Sequence, residues 1–212
     1  MYNNDHGKQC LWILLLVALV ITVLVASATT LVPMSFANLA QRSTAIMRVR
    51  CLGTQSVWSD GEIWTDTRFE ILRQEKTDAF GTDQVQSGVA GVTQEKGNAT
   101  TTSAHTITLR QMGGAIGGLH SHVADVPEFH AGEEAYLFLW RRAGEPYRVL
   151  GWSQGTFRVS RDTRTGAERV TQDSALASFH PETREFQTSG VRNLPVATFE
   201  EELRQAVNAG KN

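Results

Sequence analysis

Three histidines lie close together in this 212-residue chain, among several carboxylates. His120 and His122 are two positions apart, so their side chains share a face if the segment is a strand, and His130 follows shortly after. Two imidazoles with a third histidine or a carboxylate can hold zinc and leave one coordination position open for water. We therefore predict a candidate zinc site at His120, His122 and His130. The nearest carboxylates in the chain are Asp125, Glu128, Glu133 and Glu134.

A second interpretation of these histidines stays open, in which they are solvated or structurally hydrogen-bonded. Their spacing matches no established zinc signature such as His-Glu-x-x-His. Adjacent residues entering a strand point to opposite faces, which disfavours Glu133 and Glu134 as an acid/base pair. His105 and His180 have the character of ordinary surface residues. The sequence therefore predicts no catalytic residue and no cofactor other than this candidate zinc, and it favours a non-enzymatic role.

The elements that must position these residues follow a period of two, which is typical of strands with one buried face. Residues 47–51 alternate apolar and basic, and Ser59-Asp60-Gly61 precedes a second alternating run from Ile63 to Ile71. An Asp-Gly turn between two such runs predicts a hairpin, in which Gly53 marks a bulge or bend. Cys51 is then a small core residue.

Further strands follow along the chain. Residues 135–140 are apolar on both faces and predict a central strand. The paired glycines at 113–114 and 117–118 suit a sharply bent strand or a close backbone approach. The predicted fold class is mainly β: a small antiparallel β-barrel, OB-like or Greek-key-like, with an N-terminal hydrophobic helix and a C-terminal helix. The remaining predicted strands are 106–110, 147–152, 156–160 and 168–171.

The predicted organisation has three parts. Residues 1–37 are a signal peptide or a transmembrane anchor, residues 38–176 form the β-barrel domain with a flexible insertion at 77–104, and residues 177–212 form a C-terminal extension. A helix at 198–209 is predicted from a capping box of Thr198 and Glu201 and a stop at Gly210.

The N-terminal part contains no charged residue between Cys10 and Val32, a length that can cross a bilayer as a helix. Two interpretations stay open. As a signal peptide, it has candidate cleavage sites after Ala28 and after Ala37, of which the second is favoured because Pro33 breaks the helix before it. As an uncleaved anchor, it attaches the chain to the membrane through residues 10–32. Both predict export to the cell envelope, anchored in the cytoplasmic membrane, periplasmic or secreted.

Charge and cysteine content exclude several classes of partner. The formal net charge is -2, and the basic residues are scattered, so nucleic-acid binding is not predicted. Cys51 is the one cysteine outside the apolar segment, which excludes an intramolecular disulfide in the exported part.

Motifs spread over residues 40 to 160 resemble a family of uncharacterised exported bacterial proteins, some of which are associated with matrixin-like metalloproteases. The first two strands also loosely resemble netrin-like domains, whose fold is an OB-type barrel. The resemblance implies a β-fold and an accessory role beside a secreted metalloprotease, and it implies no site residue. The chain departs from the pattern of that family at Val49 and Gln74. The motifs are Ala45-Ile46-Met47-Arg48, Trp58 and Gly61, Gly113-Gly114 with Gly117-Gly118, Pro127-Glu128-Phe129, Gly132-Glu133-Glu134 with Leu137-Phe138-Leu139, and Gly151 with Gln154-Gly155-Thr156-Phe157.

The leading functional prediction is a non-enzymatic binding or interaction module of the bacterial cell envelope, with an unidentified ligand or envelope protein as its partner. Trp58, Trp64 and Trp152 either belong to the core, which we favour, or line a groove of the barrel. The alternatives are a metal-dependent hydrolase that uses His120 and His122, and an accessory domain of a secreted metalloprotease.

Overall fold

The computed structural model describes residues 33–77, 86–88, 104–174, 177–180, 185–188 and 190–210. The chain divides into two compact units, Met1–Val32 and Pro33–Asn212, and the described residues belong to the second. Within these ranges, none of the helices is both long and apolar enough to cross a membrane. The predicted spanning segment, residues 10–32, lies outside the described residues, as does most of the predicted insertion at 77–104.

The second unit consists mainly of antiparallel β-structure, as predicted. Its two described α-helices are α1 (Phe36–Arg42) and α2 (Val196–Ala209), and a 3-10 helix spans Trp152–Gly155. The strands are β1 (Ala45–Ser59), β2 (Glu62–Lys76), β3 (Gln86–Gly88), β4 (Ala104–Met112), β5 (Gly114–Ile116), β6 (Leu119–Ser121), β7 (Glu134–Trp140), β8 (Arg148–Val149), β9 (Thr156–Arg161), β10 (Glu168–Gln172), β11 (Ala177–His180), β12 (Glu185–Thr188) and β13 (Leu194–Pro195).

The predicted hairpin is confirmed by β1 and β2, each 15 residues long. Ser59 pairs with Glu62, so Asp60 and Gly61 alone form the turn. Their φ angles are 53° and 81°, the left-handed region that an Asp-Gly turn between twisted strands requires. The register shifts between Cys51 and Gly53, which confirms the predicted bulge.

Nine of the described strands form one large sheet in the order β13-β10-β9-β7-β1-β2-β4-β3, with β8 paired to β7, and the pairs β5-β6 and β11-β12 form two separate two-stranded sheets. Residues 135–139 of β7 are buried, and β7 pairs with both β1 and β9, which confirms the predicted central strand. The strand pairings of the described residues are not closed into a barrel, so the predicted barrel is not confirmed. A single parallel bridge joins Leu109 of β4 to Tyr147, where the Arg110 N–H donates to the Tyr147 carbonyl at 2.9 Å.

Two apolar cores lie on opposite faces of β1 and β7, because successive side chains of a strand alternate between faces. The inner core is packed between β1, β2, β4, β7 and the segment around β8, and Cys51 belongs to it as predicted. The helix core lies where α1 and α2 cover the other face. The inner core contains Ala45, Met47, Val49, Cys51, Phe69, Ile107, Leu109, Phe129, Ala135, Leu137, Leu139, Tyr147 and Val149. The helix core contains Leu39, Ala40, Ile46, Tyr136, Phe138, Phe157, Val170, Phe199 and Leu203.

Two predicted boundaries are wrong. The predicted strand at 147–152 is limited to Arg148–Val149, because Gly151 and Trp152 take φ angles of 67° and 52° and turn the chain into the 3-10 helix. The C-terminal helix begins at Val196 with Pro195 at its N-cap, so Thr198 lies inside it. Proline has no side-chain acceptor, so the helix begins without a side-chain cap.

The second unit begins at Pro33, whereas the sequence places the start of the domain at residue 38. Ser35 caps α1 by accepting a hydrogen bond from the Asn38 N–H at 3.2 Å. The ring of Phe36 lies 5.6 Å from Phe138 and 5.7 Å from Phe157, both in edge-on geometry. Residues on the N-terminal side of Ala37 are therefore part of the packed structure.

Candidate functional site

The interior of the sheet changes from apolar to polar at one end of the inner core. Along β2, Phe69 is followed on the same face by Thr67 and Thr65, and along β4, Leu109 is followed by Gln111. Thr65 lies opposite Gln111, and Thr67 lies opposite Leu109. The core thus ends in a cluster of hydroxyl and amide side chains.

The β1 bulge extends this polar end. Beyond the register shift at Gly53, Thr54 pairs with Thr67 and Ser56 pairs with Thr65. Both β1 residues line the same cavity as their partners. The bulge also leaves Leu52 exposed.

A cavity of about 430 Å³ lies at this polar end. Its volume falls in the range of roughly 300–1,000 Å³ that is typical of small-molecule sites. The described lining residues are Thr54, Ser56, Thr65, Thr67, Gln111, Met112, Gly113, Gly114, Ala115, His120, Ser121, His122, Val123, Val126, Pro127, Glu128, Phe129 and His130.

Two polar atoms of the cavity are buried without a partner. Within the described residues, neither Thr67 Oγ1 nor Gln111 Nε2 has a hydrogen-bond partner, and these side chains belong to residues only 1% and 8% exposed. A buried, unsatisfied donor or acceptor costs about 1–3 kcal/mol, so native structures contain few of them. The neighbouring Thr65 is satisfied, because its hydroxyl donates to the Gly113 carbonyl at 2.7 Å.

One wall of the cavity is the β5–β6 hairpin, which turns at Gly117 and Gly118. Ser56 Oγ accepts a hydrogen bond from the Ala115 N–H at 3.1 Å, which fixes the hairpin against β1. A Cβ on Gly114 would collide with the hydroxyls of Ser56 and Thr65, so only glycine fits there. The predicted close backbone approach at the paired glycines is therefore confirmed.

The opposite wall is the segment 122–133, which Arg158 anchors. The Phe129 ring packs edge-on against Phe69 at 5.0 Å and closes the inner core. Arg158 lies 5.0 Å from the centre of the Phe129 ring and donates to the Glu128 carbonyl at 2.6 Å. The same guanidinium contacts Glu133 at 2.6 Å and Asp173 at 2.7 Å. The wall is thus tied to β9 and to the residue that follows β10.

The three predicted zinc ligands line this one cavity, but they are not gathered into a ligand set. His120 lies in β6, and His122 and His130 lie in the irregular segment beyond it. Their side chains face solvent; His122 Nδ1 is 3.9 Å from Glu128 Oε1 and His130 Nδ1 is 3.1 Å from Glu133 Oε1. Among the described residues, no three histidine, cysteine, aspartate or glutamate side chains form a group able to hold a metal ion. The zinc site stays a prediction.

Glu133 precedes β7 and Glu134 is its first residue, and the two carboxylates bind different arginines. Glu134 accepts hydrogen bonds from Arg48 at 2.8 Å and from Arg50 at 2.9 Å. Burial opposes its ionisation, but these two arginines outweigh that effect and lower the pKa of the Glu134 carboxyl. Burial is likewise outweighed at Glu133, whose pKa is lowered by the His130 N–H and by the charge of Arg158. Both carboxylates are held ionised in structural pairs.

The pentapeptide Gly151-Trp152-Ser153-Gln154-Gly155 fits the Gly-x-Ser-x-Gly pattern of hydrolase nucleophiles. In those enzymes the serine is exposed at a turn from a strand into an α-helix. Here the pentapeptide connects β8 to β9 through a 3-10 helix, and Ser153 is only 9% exposed. The local structure therefore does not present this serine as a nucleophile.

The tryptophans do not form the core that the sequence favours. Trp58 is 55% exposed at the tip of the first hairpin, so its prediction as a core residue is wrong. Trp64 and Trp152 are half-buried. Arg148 stacks against Trp64 at 5.4 Å and Trp140 at 5.8 Å, outside the inner core.

Thr67 and Gln111 are the site residues that sequence reasoning missed. A signal for Thr67 exists, because it interrupts the face on which Ile63, Phe69 and Ile71 alternate. The same signal marks Gln111, which continues the face on which Ile107 and Leu109 alternate.

No protein-family model, curated protein or solved structure matches this chain. The resemblance to exported bacterial proteins therefore rests on the sequence motifs alone.

Proposed function

We propose that this chain is a binding module and that its ligand occupies the cavity beside Thr67 and Gln111. The observation that carries the proposal is the pair of buried polar atoms without partners, Thr67 Oγ1 and Gln111 Nε2, in a cavity of small-molecule size. Both atoms have almost no accessible surface in the free protein, so a ligand pairs with them after the two side chains turn toward the cavity, and it then removes a penalty that the free protein bears. Buried water is the competing occupant, since a polar void that offers two or more partners can hold it.

The OB-like barrel is part of the same proposal. Strands β1, β2 and β4 pair in sequence, β7 pairs with β1 and with β8, and the Leu109–Tyr147 bridge connects β4 to the residue before β8. If one or two further hydrogen bonds extend this bridge, β4 and β8 become neighbours in the sheet. The strands β1, β2, β4, β8 and β7 then form a closed five-stranded barrel around the inner core. The cavity then lies at one end of the barrel, beneath the connection from β4 to β7.

The proposed location is the cell envelope. The uncharged stretch from Cys10 to Val32 supports export, either with a retained N-terminal anchor or after cleavage. An accessory role beside a secreted metalloprotease is compatible with a binding module, and it is supported by the resemblance alone.

The test is a thermal-shift screen of the full chain against a library of small neutral and charged compounds. A ligand present at 100 times its Kd stabilises a protein by about 2.7 kcal/mol, or roughly 5–11 °C in Tm for 150–250 residues. We expect compounds that raise Tm in the wild type and not in the double variant Thr67→Val/Gln111→Leu.

The matched control is Gln55→Leu/Thr108→Val, which changes the same two residue types at a second depression that shares only Thr54 with the proposed cavity and contains neither Thr67 nor Gln111. This control should keep the response to each compound. A screen without any such compound, or hits that both double variants retain equally, would contradict the proposed function.

A zinc-dependent hydrolase is the second candidate, because His120, His122 and His130 all line this one cavity. Metal analysis of the purified chain separates the two candidates. Stoichiometric zinc that is lost in His120→Ala and in His122→Ala would support the hydrolase, and zinc absent from the wild type would exclude it.

A further inference from the structure

The inner part of the cavity has no charged side chain among the described residues, which restricts the chemical class of ligand that can bind there. The described lining contains no Lys or Arg, and its single carboxylate, Glu128, has a side chain that is 77% exposed at the mouth. The deep residues Thr67 and Gln111 are uncharged, as is Phe129. An ionised group placed there would lose its hydration without gaining an opposite charge, which costs far more than burial of a neutral polar group.

The hydrogen-bonding groups inside are of two kinds. A threonine hydroxyl donates one hydrogen bond and accepts others, whereas Gln111 Nε2 only donates. The ligand must therefore present at least one acceptor to Gln111, and a group of either kind to Thr67. A hydroxyl group satisfies both requirements, because it donates and accepts.

An apolar surface lies beside these polar groups. Phe129 is buried at the base of the wall, and Val126 and Pro127 line the cavity next to it. A ligand that fills the site must offer hydroxyls on one side and C–H groups on another. A sugar ring has this distribution, with hydroxyls around its edge and C–H groups on its faces.

We propose that the ligand is a neutral carbohydrate that enters the cavity with a C–H face toward Phe129, while Gln111 and Thr67, whose Nε2 and Oγ1 have almost no accessible surface in the free protein, rotate to pair with its ring or hydroxyl oxygens. This proposal rests on the proposed function and names its ligand class. The exposed histidines at the mouth, His120 and His122, then contact the part of the sugar that faces solvent.

The test is a titration of the full chain with each probe. Binding is measured by calorimetry and by the shifts of the backbone amide NMR signals. The neutral probes are methyl glucoside, N-acetylglucosamine and maltose. The charged probes are glucosamine and glucuronate, and N-acetylalanine methylamide is the probe for a neutral amide without sugar hydroxyls. We expect at least one neutral sugar to bind and to shift the amides of residues 111–115, and the charged sugars to bind at least about tenfold more weakly.

The variants Thr67→Val and Gln111→Leu should each weaken the binding of that sugar by about tenfold, the effect of one lost buried hydrogen bond. The control Gln55→Leu/Thr108→Val should leave the Kd unchanged.

Three results would overturn the carbohydrate proposal. If the amide probe binds at Thr67 and Gln111 and no sugar does, the ligand class is wrong while the proposed function stands. If charged and neutral sugars bind equally, the recognition does not depend on the neutral cavity. If no probe binds and the thermal-shift screen also finds no compound, both proposals fail and water is the occupant of the cavity.

Discussion

Arg158 donates from Nη2 to the backbone carbonyl of Glu128 at 2.6 Å, which ties the wall of the cavity to strand β9. The same guanidinium binds the carboxylates of Glu133 and Asp173. The position of Phe129, and with it the shape of the cavity, therefore depends on a residue that does not line the cavity itself.

Replacement of Arg158 by methionine should destabilise the protein by about 2–3 kcal/mol, because two partly buried carboxylates lose their partner. Urea unfolding measures this loss. The control is Arg161→Met, which removes an ion pair from a side chain that is 67% exposed and should cost less than about 1 kcal/mol. Equal losses in the two variants would contradict the anchoring role of Arg158.

The stability of the domain should fall in acid as the carboxylates of the arginine pairs become protonated. The folded pKa of Glu134 is lowered from its ordinary value of 4.5, because the arginine bonds outweigh the effect of burial. For Glu168 the hydrogen bonds from Arg48 and Arg161 act in the same direction. A lowered pKa contributes stability that is complete above the ordinary value and is lost as the pH falls through the folded value.

Glu134→Gln should consequently be less stable than the wild type at pH 7, and the difference should shrink as the pH falls below 4.5. Unfolding free energies measured from pH 7 to pH 3 test this, with Glu202→Gln on the exposed face of α2 as the control. A difference that stays constant over the whole pH range would show that Glu134 does not act through its charge.

Phe36→Ala should destabilise the protein by about 2–3 kcal/mol. This is less than the cost of replacing a fully buried phenylalanine, because the ring of Phe36 is half-buried. Its ring also gives up edge-on contacts with Phe138, Phe157 and Phe199. Thermal unfolding measures the loss, and the exposed Leu52→Ala serves as the control. If both variants unfold at the wild-type temperature, the first residues of the second unit do not contribute to its packing.

The packing of Phe36 also predicts where the chain is cut, if it is cut. Cleavage after Ala37 would remove Phe36 and the capping residue Ser35, whereas cleavage after Ala28 keeps both. We therefore expect the intact mass of the mature protein to match cleavage after Ala28 or the uncleaved chain. A mass that corresponds to a first residue of Asn38 would contradict this expectation.

Local sequence patterns predicted the elements whose structure is decided locally. The Asp60-Gly61 turn, the bulge at Gly53 and the apolar strand β7 all follow from backbone preference and from the period of apolar residues. The C-terminal helix was predicted with its correct end, and its start was missed because Pro195 replaces a side-chain cap.

The site could not be predicted in the same way, because it is made by contacts between distant segments. Gln111 lines a cavity whose other walls are the β5–β6 hairpin and the segment anchored by Arg158, and all three come from different parts of the chain. Trp58 has the apolar character of a core residue, yet its place at the tip of a hairpin leaves it in solvent. The spacing of the histidines predicted that the three imidazoles lie near one another, and they do line one cavity. It could not predict the distances between them, which do not suit a metal ion.

The measurement that tests the central claim most directly is the stability of Thr67→Val/Gln111→Leu without ligand. If the two buried atoms lack partners in the free protein, their replacement by apolar groups of similar shape removes two penalties of about 1–3 kcal/mol each, and the variant should be more stable than the wild type by about 2–6 kcal/mol. If the variant is instead less stable by more than about 1 kcal/mol, the two side chains already have partners in the free protein. That result would contradict a cavity kept for a ligand.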